Sequence, residues 1–339
     1  MKIKLFTHTD LDGVGCAVLA YLAFGHENVD VEYCNYDDVN EKIEVFVEKT
    51  DVFNNYDKVF ITDISVSESV ANTIDILDKT SKRVLLLDHH DTAIWLNAYD
   101  WGHVLVETPV THVKTSGTEL FFDYLRVNKH LDKFQDTRAF TNIINFVDIV
   151  RCYDTWQWKE FGEEGIICKQ VNDLFYIYGR DKFIRWIKRQ IHTFINPKDV
   201  CSSWENKQFP EFSSDDKAVL DQKQRDIDQY IEEKNKQIVV SVDQFGHKYG
   251  IVFAERYFSE LGNRLCELNP ELDYVAMIDI SSGKVSYRTV RDDLDVGGEI
   301  AHAYGGGGHP KAAGSTFDKD RIYDDVMALL FFQGTREWL

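Results

Sequence analysis

The chain is short of positive charge: 38 Lys and Arg stand against 57 Asp and Glu in 339 residues, a net charge of -19. That deficit excludes broad, nonspecific binding to long nucleic acid, which depends on basic surface. A short anionic substrate held by metals and a few local Arg or Lys stays open. No apolar run reaches about 18 residues, so no membrane span is expected. The first apolar stretch, Ile3 to Phe6, is too short for a signal peptide. The six cysteines (16, 34, 152, 168, 201 and 266) form no CxxC pair and no regular spacing. They read as reduced thiols of a cytoplasmic protein rather than a disulfide framework or a zinc ribbon. There is no internal repeat and no GxxxxGK[ST] phosphate loop. What remains is an ordinary globular composition, 44% hydrophobic and 28% charged, with length for about two domains.

The first ~125 residues alternate strand and helix. Strands are expected at 3–7, 29–36, 58–62 and 83–87, and helices at 13–24, 39–48 and 65–78. Asp12 is expected near the N-cap of the first helix. This rhythm predicts an α/β fold whose N-terminal sheet is mainly parallel, with helices on both faces. Helices are expected again at 118–127, at 137–150 and through most of 161–195, where Phe175, Tyr176, Tyr178, Phe183 and Trp186 read as core. Residues 213–236 are polar and charged and read as a connecting helix. A second, smaller α/β pattern follows: a hairpin over 238–253, a helix at 259–267, strands at 274–280 and 284–288, and a short helix at 300–304. The division expected is 1–200, a helical linker 201–236, and 237–339.

Three predicted strands end in acids or imidazoles. His8-x-Asp10-x-Asp12-Gly13 follows the first, Asp63 the third, and Asp88-His89-His90 the fourth. Strand C-termini of an open α/β sheet share one edge. Carboxylates gathered there repel one another unless a divalent ion neutralises them. Carboxylate mixed with imidazole, without thiolate, favours Mn²⁺ or a similar ion over structural zinc, and the ligand count favours two ions. One further carboxylate is expected. Asp148 and Asp154 are both candidates, and Asp154, after the apolar helical run, is preferred.

Near the C-terminus, Gly305-Gly306-Gly307-Gly308-His309 precedes Pro310-Lys311-Ala312-Ala313-Gly314. Glycines allow close backbone approach, and exposed N–H groups before a helix start would form an anion nest. Arg288, ending a predicted strand, and Arg264, on a predicted helix, are further phosphate contacts, Arg288 the better placed.

Together these motifs resemble the DHH/DHHA1 phosphoesterase family, in family order and over nearly the whole chain: a DHH domain, a linker and a DHHA1 domain. The resemblance implies two Mn²⁺ ions and hydrolysis of phosphodiester or phosphoanhydride bonds. It implies that His8 and Asp10 bind the first metal, that Asp12, His89 and Asp154 bind the second, and that Asp63 bridges them. His90 would contact the scissile phosphate or act as an acid, with Asp88 orienting the histidines. Arg288, Gly306, Gly307 and His309, with Arg264 as a weaker addition, would hold the far end of the substrate. Ser286-Tyr287-Arg288-Thr289 departs from the family's commoner Ser-Leu-Arg-Ser. The two-domain layout is similar to that of the nanoRNases, implying a cytoplasmic enzyme that degrades short oligoribonucleotides to mononucleotides. Its partners would be a short oligonucleotide or dinucleotide, with no long duplex and no membrane, and a homodimer is compatible. Alternatives are a cyclic or linear dinucleotide phosphodiesterase, a pyrophosphatase or polyphosphatase, and a non-catalytic nucleotide binder.

Overall fold

Short apolar runs alternating with amphipathic stretches build a five-stranded parallel sheet in the N-terminal part of the chain. Its strands are β1 (Ile3–His8), β2 (Val29–Cys34), β3 (Lys58–Thr62), β4 (Val84–Asp88) and β5 (Gly102–Val104), in the order β2-β1-β3-β4-β5. The computed structural model of the protein describes residues 1–135, 137–192 and 209–323. The expected junction at 200–201 and Cys201 lie outside the described residues; the other five cysteines are free and buried. By packing, the chain divides into two units, Met1–Leu220 and Asp221–Leu339.

In the first unit, alternate strand residues feed opposite cores, as the pleat requires. Ile3, Leu5 and Phe60 pack on one side with α1 (Leu11–Phe24), then α5 (Gly117–Val127), α6 (Arg138–Asp154), α7 (Gly162–Tyr178) and α8 (Arg180–His192). Phe6, Val59 and Ile61 pack on the other with α2 (Val39–Glu48), α3 (Thr50–Phe53) and α4 (Glu68–Asp78). The α/β reading with a parallel N-terminal sheet and helices on both faces therefore holds. Two local expectations do not. The first helix is capped by Asp10, whose side chain accepts from the Gly13 N–H, and Asp12 lies inside its first turn. The late helix runs on from 150 to Asp154, because Arg151, Cys152 and Tyr153 stay helical and no Gly or Pro stops them.

The second unit holds a six-stranded mixed sheet, β10-β11-β9-β8-β7-β6. Its strands are β6 (Val239–Val242), β7 (Lys248–Phe253), β8 (Tyr274–Asp279), β9 (Lys284–Arg288), β10 (Gly307–His309) and β11 (Ala312–Thr316). On one face Val275 and Met277 pack with α10 (Phe258–Leu268) and the later turns of α9 (Ser214–Asn235); on the other, Tyr274, Ala276 and Tyr287 pack with the short helical turn Val296–Ala301. Contrary to expectation, the glycine run does not open a helix. It enters a β-hairpin, because Ala312–Thr316 pairs with β9 and draws Gly307–His309 alongside. At Gly306 a Cβ would stand 2.1 Å from the Gly314 carbonyl oxygen, so the hairpin closes only on glycine there.

Candidate metal centre

The strand order changes direction between β1 and β3, and their C-terminal ends open a crevice at that point. His8 ends β1, and Asp10 and Asp12 follow on the turn into α1. Thr62 Oγ1 donates to Thr7 Oγ1 (2.9 Å), and Thr7 Oγ1 donates to the Gly13 carbonyl (3.0 Å), which ties that turn to β3. Asp63 leaves β3 at φ 57°, a left-handed backbone that Asp tolerates better than most residues, held by its N–H to the Leu87 carbonyl (3.0 Å). Gly117 packs directly against it, since a Cβ there would come within 2.5 Å of the Asp63 Cβ.

The side chains converge. His8 Nδ1 lies 2.8 Å from Asp10 Oδ2 and 3.9 Å from Asp63 Oδ2. His89 Nε2 lies 3.3 Å from Asp63 Oδ1, 3.4 Å from Asp154 Oδ2 and 3.6 Å from Asp12 Oδ2. His8, Asp10 and Asp63 thus form one donor group, and Asp12, His89 and Asp154 another, while Asp63 turns one oxygen toward each. Asp88 is fully buried; its Oδ1 accepts from the His89 N–H and lies 2.8 Å from His90 Nδ1. Asp148 stays outside, exposed and paired with Arg151 at 3.4 Å.

Three buried atoms here, Asp63 Oδ2, Asp88 Oδ2 and His89 Nε2, have no hydrogen-bond partner. Buried polar atoms are rarely left so in a folded protein. Burial, with the Asp12, Asp10 and Asp154 carboxylates close by, pushes the Asp63 carboxyl well above its usual range. Asp154 is raised in the same way, by burial and then by Asp12 and Asp10. Burial lowers His89. For Asp10, burial acts upward, but hydrogen bonding and charge from His8 outweigh it and the carboxyl ends lower. For His90, burial acts downward, but Asp88 outweighs it and the imidazole ends higher. Four crowded carboxylates, two imidazoles and unpartnered buried donor atoms fit divalent cations well.

Two features escaped the sequence. Tyr36, just beyond β2, sets its hydroxyl 3.3 Å from His90 Nε2 and its ring centroid 5.2 Å from that of His8. Asp12 is anchored from far along the chain: the Gly117 N–H donates to its Oδ2 (2.6 Å) and the Thr118 N–H to its Oδ1 (2.8 Å), at the N-terminus of α5. The Ser116-x-x-Glu119 pattern could have announced that helix start, and Ser116 does cap it, but nothing local announced its partner.

In the second unit, His309 pairs with Ala312, and Ala312 with Arg288, across three adjacent strands. Residues directly opposite in a ladder share a face, so His309 and Arg288 stand on the same side of the sheet. The Arg288 guanidinium donates to the Tyr287 carbonyl and to Ser259 and has no carboxylate partner among the described residues. His309 and Gly307 are exposed. Arg264 lies on the exposed face of α10, paired with Glu267 at 2.7 Å, and is not gathered into this row.

Residues 2–146 match the DHH family, N-terminal domain. Over 332 residues the chain is 37% identical to Oligoribonuclease NrnB of Bacillus subtilis (strain 168), covering 96% of this chain and 75% of that protein. Among solved structures, the DHH domain of a member of a ribosomal-protein family shares the fold at TM-score 0.53 and 11% identity, covering 96% of this chain and 85% of that one. RecJ in complex with Mg²⁺ from Thermus thermophilus shares it at TM-score 0.50 and 12% identity, covering 95% and 48%. With its strand-end donors in place and a relative aligned along nearly its full length, this chain belongs to the DHH family and is a metal-dependent hydrolase.

Proposed function

We propose that the protein is a cytoplasmic, Mn²⁺-dependent phosphodiesterase that hydrolyses short oligoribonucleotides to mononucleotides. The observation that carries this reading is the paired donor set sharing Asp63, in a chain 37% identical to an oligoribonuclease over 96% of its length. His8, Asp10 and Asp63 would hold one ion, and Asp63, Asp12, His89 and Asp154 the second. Ions bound there supply an acidified water and neutralise phosphoryl charge. Asp88 fixes the His90 ring through Nδ1, and Nε2, which meets the Tyr36 hydroxyl at 3.3 Å, would exchange that contact for a nonbridging oxygen or protonate the leaving group. Asp88 also holds the backbone on which His89 sits. The Arg288–His309 row, with the open backbone at Gly307, would take the substrate's far phosphate. The net charge of -19 repels long polyanions and suits a short strand.

The test is a time course with Mn²⁺ on 5′-labelled RNA of two, five and twenty-four nucleotides, beside cyclic di-AMP and cyclic di-GMP. Rapid conversion of the two short RNAs to mononucleotides, with the long one slow, is expected. Faster opening of a cyclic dinucleotide would overturn the substrate assignment and leave the metal chemistry standing. His309→Ala is expected to raise KM roughly tenfold, the worth of one charge-assisted contact, with metal content by elemental analysis unchanged. Equal loss of both would make the hairpin structural.

A further inference from the structure

One helix brings a polar side chain to the metal centre that the chemistry above does not use. Beside the donor cluster lies a small cavity of about 90 Å³. Asp10, Asp12 and Asp154 line it together with Tyr153, Asn172 and Tyr176. Asn172, in the middle of α7, is 5% exposed, and no hydrogen bond of its carboxamide is found among the described residues. Its carboxamide is not among the fully buried partnerless atoms, so it meets the cavity, where a ligand could reach it. Tyr176, expected in the core with Phe175 and Phe183, instead stands 62% exposed at the cavity, whereas those two are buried.

We infer that Asn172 is a specificity-determining residue that hydrogen-bonds a ribose hydroxyl of the substrate, with the Tyr176 ring flanking the sugar. The inference rests on the oligoribonucleotide reading and deepens it. With Asp10, Asp12 and Asp154 taken up by the ions, the cavity keeps only neutral polar lining, Tyr153, Asn172 and Tyr176, and no Lys or Arg to hold a second phosphate. Its size, far below the ~300 Å³ at which pockets begin to enclose whole ligands, suits the edge of a sugar rather than a base. A sugar is also the neutral group covalently next to a phosphate seated at Asp10 and Asp154. A carboxamide both donates and accepts, as does the 2′-hydroxyl, the group that separates RNA from DNA. An analogue lacking that hydroxyl would leave the amide buried and unpaired.

The experiment compares kcat/KM for 5′-phosphorylated diadenylate and its 2′-deoxy counterpart, with Mn²⁺, in the wild type and in Asn172→Leu. The ratio of the two is read, because a misfolded fraction cancels from it. The wild type is expected to favour the ribo substrate at least about tenfold, and the variant to bring the ratio within about threefold of unity. If Asn172→Leu is insoluble, the smaller Asn172→Ser is read by the same criteria. A variant that keeps the wild-type ratio, or a wild type without preference, overturns the assignment of Asn172. A wild type that cleaves bis-p-nitrophenyl phosphate but neither dinucleotide overturns the oligoribonucleotide reading itself, and this inference with it.

Discussion

Asp63→Asn is expected to lower turnover roughly a thousandfold or more and, at the same time, to raise the stability of the metal-stripped protein. The two effects have one cause. The Asp63 carboxyl is 1% exposed, with an Oδ2 that has no partner, and the Asp12, Asp10 and Asp154 carboxylates oppose its ionisation. Without metal, that arrangement costs free energy; Asn keeps the shape and removes the charge. A gain of about 1–3 kcal/mol is expected, by analogy with other buried charges removed from unfavourable surroundings. For a unit of this size that is a rise in Tm of about 2–4 °C per kcal/mol. Thermal melts in EDTA and in Mn²⁺ provide the check. The wild type should gain about 4 kcal/mol at a metal concentration a thousandfold above Kd, and Asp63→Asn should lose most of that gain. A variant less stable than wild type in EDTA would mean that the charge holds the fold rather than the ions.

Asp12→Ala is expected to destroy activity and stability together, unlike its neighbour. Both Asp12 oxygens accept buried backbone N–H groups at the start of α5, where the helix dipole also favours a negative charge. Removing the carboxylate strands two buried donors, at about 1.5–3 kcal/mol for each hydrogen bond to a charged group. A loss of about 3 kcal/mol or more in the metal-free protein follows from those two bonds. Asp10→Ala loses the cap to the Gly13 N–H, at about 1 kcal/mol, and the partly exposed contact with His8, but strands no buried backbone pair. Both variants should lose turnover. Urea titrations of the two proteins in EDTA separate them, and equal destabilisation would rule out the anchoring role of Asp12.

The strand ends were legible because each donor follows a short apolar run: Asp63 after Val59–Thr62, Asp88 after Val84–Leu87. The preference for Asp154 over Asp148 rests on its place after an apolar helical run; the structure sets Asp154 beside His89, while Asp148 faces Arg151. What the sequence hid depends on distant partners. The grip of Gly117 and Thr118 on Asp12 spans 105 and 106 residues. The glycine run reads locally as a helix approach, and only its pairing through β11 to β9 makes it a hairpin. Tyr176 belongs to an aromatic cluster in which Phe175, Phe183 and Trp186 are core, and no periodicity marks it as the one that turns outward.

The row from His309 through Ala312 to Arg288 exists only in one register. Side chains alternate across a strand, so adding or deleting one residue in the Pro310-Lys311 turn would rotate His309 to the opposite face while Arg288 stayed fixed on β9. In this segment, then, spacing is constrained more tightly than composition. Residues along the turn can drift under mutation, but insertions and deletions there would separate the imidazole from the guanidinium in a single step.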